Sequence, residues 1–438
     1  MDDRPNIILV VFDTLRWDYF QQLMSVDKEF AEVMSSFINF NNAYSPSSWT
    51  LPSHMSLFTG LYPSEHKVHE NPNSEISEVF DLATKYKGNF LTSFASANGY
   101  KTIGISANLM ISGLTGLDQR FDDFYNIDTG RLSGLNRNIY HGKLIRKIES
   151  ANSILISHLR GFPGNKGYKT ICTLINKMDL SHPFFLFANF MEMHDPYFKL
   201  HGLHGDDNKK ILKDVFGLRS LNNNYMEGVK NRYYNQLLKV KFTVLNIINI
   251  LKRKEKYENT VIIFTSDHGQ ALKEHGYYGH GIFLFDELTH IPLLIKQAKC
   301  CTTMLNSISY VNLVDVYNYL INIINKHNTE RSLKGNDYTF SEAFGMQYSK
   351  QVVEKFLKNN EGRNIYNKLN LPRKMIVKNG YKLCINSNSE VEEFSYMGKE
   401  KNPISQDQVI DDLLLHLKIF NITGGFKISI DDFHKSMR

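Results

Sequence analysis

Cysteine is scarce in this sequence and gives no framework. The 438 residues include four, Cys172, Cys300, Cys301 and Cys384. Two are adjacent and the others far apart, which argues against a disulfide scaffold or a zinc-ligand cluster and leaves reduced thiols as the expectation. Long apolar runs are lacking too, since none approaches the ~18 residues a membrane helix needs. No basic-then-apolar leader precedes the first strand-like stretch, so a cytoplasmic location is expected. Lys and Arg form no blocks and the net charge is only +6, so nucleic acid is not an implied partner. Internal repeats and low-complexity tracts are absent, and nothing in the sequence sets an oligomeric state.

What is present is an ordinary globular balance, 42% hydrophobic and 22% charged, enough for a sizeable core and against wholesale disorder. Apolar runs at Asn6–Phe12, Thr102–Ser106, Phe184–Phe190, Val261–Thr265 and Ile291–Ile295 lose the polar alternation of a half-exposed strand. They read as strands covered on both faces, as in the centre of a mainly parallel sheet. Helical spacing marks Arg232–Leu251 and Val311–Ile324. The alternation predicts a doubly wound α/β fold. Periodicity fails near 326–340, then short strands are expected around Met375–Val377 and Tyr381–Ile385 and a helix at Gln408–Ile419. The predicted division is a catalytic unit over 1–335 and a small α+β domain over 336–438. Residues 127–170 carry no readable pattern and 199–230 is polar and loop-like. Both are expected to frame a pocket mouth.

Ligands of open α/β sheets bind beyond the carboxyl ends of the strands. The first strand here ends in Asp13, the Phe184–Phe190 run leads to His194 and Asp195, and the fourth ends in Asp267 and His268. Singly, each has a bland reading as a helix cap or a hydrogen-bonded side chain. Together they offer the mixed oxygen and nitrogen donors that suit a divalent ion. Thr50, in Ser48-Trp49-Thr50-Leu51-Pro52, opens a predicted short helix with Gly60 near its end. There it is either an N-cap or, beside a divalent ion, a nucleophile.

The blocks PNIILVVFDTLRWD, WTLPSHMSLFTGLYPSEHKV, FMEMHDPY and TVIIFTSDHGQALKEHGYYGHG resemble, in order and spacing, the sulfatase family of the alkaline-phosphatase superfamily. The resemblance implies an alkaline-phosphatase-like fold and one divalent ion (manganese, zinc, magnesium or calcium). It places Asp13, Asp267 and His268 on metal ligands and Thr50 on a nucleophile that also meets the metal. His194 and His280 fall on groups that bind ester oxygens or protonate the leaving group. His54 stands where sulfatases carry an Arg supporting the nucleophile. Glu274 and His275 are expected to position their loop.

Three departures matter. Thr50 replaces the Cys or Ser that sulfatases oxidise to formylglycine, and its methyl rules out that conversion. Thr14 replaces a second acid. Ser106-Ala107-Asn108 replaces a Lys and His, leaving Asn108 as a substrate contact. The set resembles the Thr-nucleophile members, phosphonate monoester hydrolases and lipoteichoic-acid synthases. A phosphate mono- or diester of a small molecule, glycan or lipid is the favoured substrate. The alternatives are a sulfatase working without formylglycine and a binding protein that kept the fold and lost catalysis.

Overall fold

The structure, a computed structural model, describes residues 4–71, 75–127, 166–195, 197, 223–301, 309–325, 333, 335–346, 360–396 and 406–421. Its main sheet has seven strands: β1 (Asn6–Phe12), β2 (Ile38–Asn39), β3 (Lys101–Ser106), β4 (Asp123–Asn126), β5 (Phe184–Phe190), β6 (Thr260–Thr265) and β7 (Leu293–Lys296). Their order is β2-β7-β6-β1-β5-β3-β4. The five strands from β6 to β4 are parallel, whereas β7 and β2 pair antiparallel at the other edge.

Every residue of β1 is buried, as expected for a central parallel strand. Ile8, Val10 and Phe12 enter one core, while Ile7, Leu9 and Val11 enter the other. The first core is closed by the helix Asn223–Arg253, through Met226, Val229, Tyr233 and Leu237. The second is closed by the helices Thr50–Thr59 and Leu313–Ile324. Asn312 starts the latter with a capping box, its side chain accepting from Val314 N while Asp315 reaches back to its own N–H.

The expected elements are present with two corrections. The strand predicted at Ile291–Ile295 is Leu293–Lys296 and runs antiparallel to β6; an apolar run encodes burial, not chain direction. The long helix starts at Asn223, inside the stretch expected to be loop. Met226, Val229 and Tyr233 already keep helical spacing beneath its polar residues. Residues 128–165 and 198–222, most of the two expected pocket-framing stretches, lie outside the described residues.

Beyond the main sheet, β8 (Tyr338–Ala343), β9 (Arg373–Lys378), β10 (Tyr381–Asn386) and β11 (Val391–Tyr396) form an antiparallel sheet. The helix Gln406–Asn421 covers it through Ile410, Leu413, Leu414 and Leu417. Polar bonds join this sheet to the main body. Ser341 Oγ donates to Ser45 O at 2.6 Å, and Glu342 Oε2 accepts from Ser64 N at 2.8 Å. Lys382, fully buried, lies 2.9 Å from both Asp286 Oδ1 and Glu393 Oε2. Burial opposes the charge on Lys382, but the two carboxylates hold its pKa above the ordinary lysine value. Removing one partner of a buried ion pair strands the other charge. Because Asp286 and Glu393 keep partial access to solvent, Lys382→Met is expected to lower stability by about 1–3 kcal/mol, measured by denaturant unfolding.

Candidate active site

Four adjacent parallel strands, β6, β1, β5 and β3, each deliver a polar group just past their last residues. Asp267 and His268 follow β6, Asp13 follows β1, His194 lies beyond β5 and Asn108 beyond β3. All but His194, which stands on a half-buried turn, are almost wholly removed from solvent.

Thr50 is brought to them by its helix. Trp49, extended at φ −139°, takes the N-cap position without a side-chain bond, and Thr50 is the first helical residue. The N-cap reading of Thr50 is thus replaced: its Oγ1 lies 3.1 Å from His268 Nε2. Pro52 falls in the first turn, where its missing N–H costs nothing. Gly60 ends the helix at φ +70°, where a Cβ would lie 2.3 Å from the Tyr317 ring. All ten residues of the helix are buried, so the hydroxyl is held by a rigid element. His54 Nδ1 donates to Thr50 O at 2.8 Å. Burial draws the His54 pKa down to about 3, so this ring is neutral and offers no cation.

Asp13, Asp267 and His268 present donor atoms within 4.8 Å of one another. Each has one atom tied and one left over. Asp13 Oδ2 accepts from Asn108 Nδ2 at 2.6 Å, while its Oδ1 is buried with no hydrogen-bond partner among the described residues. Asp267 Oδ1 accepts from Thr14 N at 3.2 Å and His268 N at 2.9 Å, while its Oδ2 has none. His268 Nδ1 donates to Gly269 O at 2.8 Å, which turns the lone pair of Nε2 toward Thr50 and the carboxylates. Orphaned buried oxygens are rare and costly. Here they converge with an imidazole lone pair, the donor set of a divalent-cation site.

The electrostatics agree. Burial and the proximity of Asp267 raise the Asp13 pKa to about 6, and burial raises that of Asp267 to about 7. His268 is lowered to about 4 by burial, which keeps it neutral as a metal ligand must be. His194 goes the other way. Burial opposes its charge, but Asp195, 3.0 Å from Nδ1, and Asp13 raise it to about 9. His280 is pushed well below its ordinary value by burial and by His268 and His194. The rings of His194, His280 and His268 follow one another at centroid spacings of 5.1 and 4.6 Å. One side of the site therefore holds a cationic imidazole and a neutral one.

Asp195, counted at first with the possible cation donors, instead pairs with His194 Nδ1 at 3.0 Å, and two contributors escaped the sequence reading. Gln270 Oε1 accepts from His280 Nδ1 at 2.6 Å and thereby sets that ring's tautomer; its place in the Asp267–Gln270 run was the available signal. Lys166 carried no signal at all, because the residues around it have no periodicity. Its buried ammonium donates to His194 O and faces Asp195 and Glu192. Glu274 does hold its loop, accepting from Arg16 Nη1 and Leu272 N at 2.7 Å each. Asn108, expected as a substrate contact, is directed at Asp13.

The parallel-centred sheet thus gathers buried carboxylates, imidazoles and a helix-borne hydroxyl at its strand ends. A family profile described as Sulfatase matches residues 5–325, and the chain belongs to the sulfatase family. An arylsulfatase from Clostridium perfringens is 22% identical over 348 residues, 67% of this chain and 68% of that one. A phosphoethanolamine transferase of Salmonella typhimurium is 37% identical over a shorter stretch of 76 residues, 17% of this chain and 14% of its own. Among solved structures, a phosphonate monoester hydrolase of Agrobacterium radiobacter has a TM-score of 0.60 at 16% identity, covering 96% and 95% of the two chains. A 2-O GAG sulfatase has a TM-score of 0.62 at 16% identity, covering 95% and 91%. The fold is thus that of sulfatases and their relatives, and the chain is a sulfatase-family ester hydrolase or transferase. None of the helices among the described residues is long and apolar enough to cross a membrane.

Gly269 follows Asp267 and His268 with its N–H on Leu288 O, and a Cβ there would lie 2.0 Å from Glu287 O. Gly269→Ala must therefore move the turn that carries Asp267 and His268 or the Asp286–Thr289 helix. The expected outcome is a stability loss of about 1–3 kcal/mol and weakened metal uptake, read by thermal unfolding with and without added manganese.

Proposed function

We propose that this protein cleaves or transfers an anionic ester, a phosphate mono- or diester in preference to a sulfate ester, with Thr50 as nucleophile and one divalent ion at Asp13, Asp267, His268 and Thr50. The observation that carries this reading is the hydroxyl of Thr50, 3.1 Å from His268 Nε2 and free of any capping duty. Manganese, zinc, magnesium and calcium are all candidates. When bound, the ion would supply Lewis acidity and favour ionisation of the hydroxyl.

The side chains divide the remaining work. Thr50 Oγ1 loses its proton to solvent and bonds to phosphorus as the bond to the leaving oxygen breaks; water or an acceptor hydroxyl then displaces Thr50 from phosphorus, completing hydrolysis or transfer. His194, charged through Asp195, gives that oxygen its proton and stabilises the spreading negative charge. Neutral His280, oriented by Gln270, contacts an ester oxygen. His54 supports the backbone of Thr50. The preference for phosphorus follows from the Thr50 methyl, which excludes the aldehyde route. The substrate classes envisaged are small-molecule, glycan and lipid esters, and residues 1–335 are proposed as the catalytic unit with 336–438 as an appended small domain. A sulfatase acting without formylglycine is the second reading, favoured by the arylsulfatase relative over two thirds of the chain.

Purified protein with manganese or zinc should turn over an aryl phosphodiester or monoester faster than an aryl sulfate. A faster sulfate reaction would instead select the second reading. Thr50→Ala should lose activity while retaining its fold, and undiminished turnover in that variant would sink the proposal. His194→Gln is expected to cost about 10²–10⁴-fold in kcat. Because the His194 pKa is raised to about 9, its charged form dominates below that pH. The rate of leaving-group departure should therefore fall as pH rises through about 9, and that alkaline limb should vanish in His194→Gln.

A further inference from the structure

The bond between Asn108 and Asp13 has chemistry beyond its 2.6 Å length. Asn108 is itself fixed. Its backbone N donates to Ser106 Oγ at 3.0 Å, Ser106 Oγ donates back to Asn108 O at 3.1 Å, and Asn108 Oδ1 accepts from Met110 N at 2.8 Å. The Met110 N–H can be satisfied only by the amide oxygen, so the amide is oriented with Nδ2 toward the carboxylate. Asn108 is 6% exposed and Asp13 0%. A buried, oriented donor thus occupies one oxygen of Asp13 and leaves the other, Oδ1, without a partner among the described residues.

We infer that Asn108 is a positioning residue that makes Asp13 a single-oxygen metal ligand, acting through the carboxylate rather than on substrate. This rests on the metal reading of the site proposed above. A carboxylate with both oxygens available can bind an ion through either or both and rotate between these modes. Holding Oδ2 removes that freedom and leaves Oδ1 as the oxygen without a hydrogen-bond partner among the described residues. The donor's neutrality is part of the device. A lysine or arginine in the same place would also hold Oδ2, but its charge would compete with the cation for Asp13. An amide orients the ligand without opposing the ion. The main-chain N–H groups of Thr14 and His268 do the same for Asp267 Oδ1, so both carboxylates are oriented by uncharged donors. Asn108 differs in being a replaceable side chain, and it reaches Asp13 from a strand that is not β1's neighbour.

Partners that orient metal ligands are worth about 10–100-fold in metal affinity. Manganese and zinc titrations of full-length wild type, Asn108→Ala and Asn108→Leu test the assignment, with phosphoester kinetics at saturating metal alongside. Both variants should bind the metal about 10–100-fold more weakly, a larger change than any in KM at saturating metal. The metal-free protein should melt lower than wild type, because Asp13 Oδ2 loses its buried donor, but remain folded at the assay temperature. Asn108→Ser, whose short hydroxyl can still accept from Met110 N but cannot span to Asp13, should reproduce the affinity loss even if the larger changes unfold the loop. Wild-type metal affinity in the variants with a raised KM would overturn the inference and place Asn108 on the substrate. Failure of the wild type to bind either metal would overturn the metal reading itself, an outcome distinct from equal binding by all forms.

Discussion

Two carboxylates, Asp13 and Asp267, end neighbouring parallel strands with 0% exposure, and the site is organised around the cost of that arrangement. Burial penalises both charges and raises both pKa values, and the charge of Asp267 adds to the rise at Asp13. The fold meets the cost in part through donors. Asn108 holds one oxygen of Asp13, and the amides of Thr14 and His268 hold one of Asp267. Thr14 can aim its N–H this way because it adopts φ +62°, a left-handed conformation uncommon for a residue branched at Cβ. The oxygens left over face a neutral imidazole and the Thr50 hydroxyl. Such a cluster has the donor set that can hold a divalent cation.

On the other side of the site the electrostatic logic reverses. Asp195 and Asp13 keep His194 cationic, whereas burial and two neighbouring imidazoles keep His280 neutral. Chemically alike rings are thereby assigned opposite protonation states by their surroundings, the general route by which a site obtains a proton donor and an acceptor at one pH. The fold supports this through elements remote from the chemistry. Arg16, 3% exposed, joins the turn after β1 to the loop after β6 by bonding Asp18, Gln270 O and Glu274. Lys166 braces the turn that carries His194.

Much of this was legible in the sequence, for a physical reason. Strands buried on both faces are long apolar runs, so the polar residues that follow each run within a few positions are conspicuous. Asp13, His194 and the Asp267–His268 pair stood out that way. Thr50 stood out through the resemblance of its block, since a Thr before a helix is otherwise read as a cap. Contacts that depend on strand order were hidden. Asn108 and Asp13 are separated by 95 positions and by an intervening strand, and nothing local to either announces the pair. The antiparallel edge at β7 was hidden because direction leaves no mark on an apolar run. The start of the long helix was masked by the polar residues that cover its outer face.

The register of the central strands has a consequence of another kind. Phe12 lies opposite Phe190 and Val11 opposite Thr265, and Asp13 N donates to Phe190 O one step further on. Asp13 and Asp267 are therefore counted off from the last rungs of their ladders. A slip of β1 by one residue would exchange the two faces of the strand and put Phe12 or Thr14 where Asp13 stands. The register that buries both faces of β1 is therefore also the register that sets Asp13 beside Asp267, so a slip that misplaced the core residues of β1 would misplace Asp13 with them.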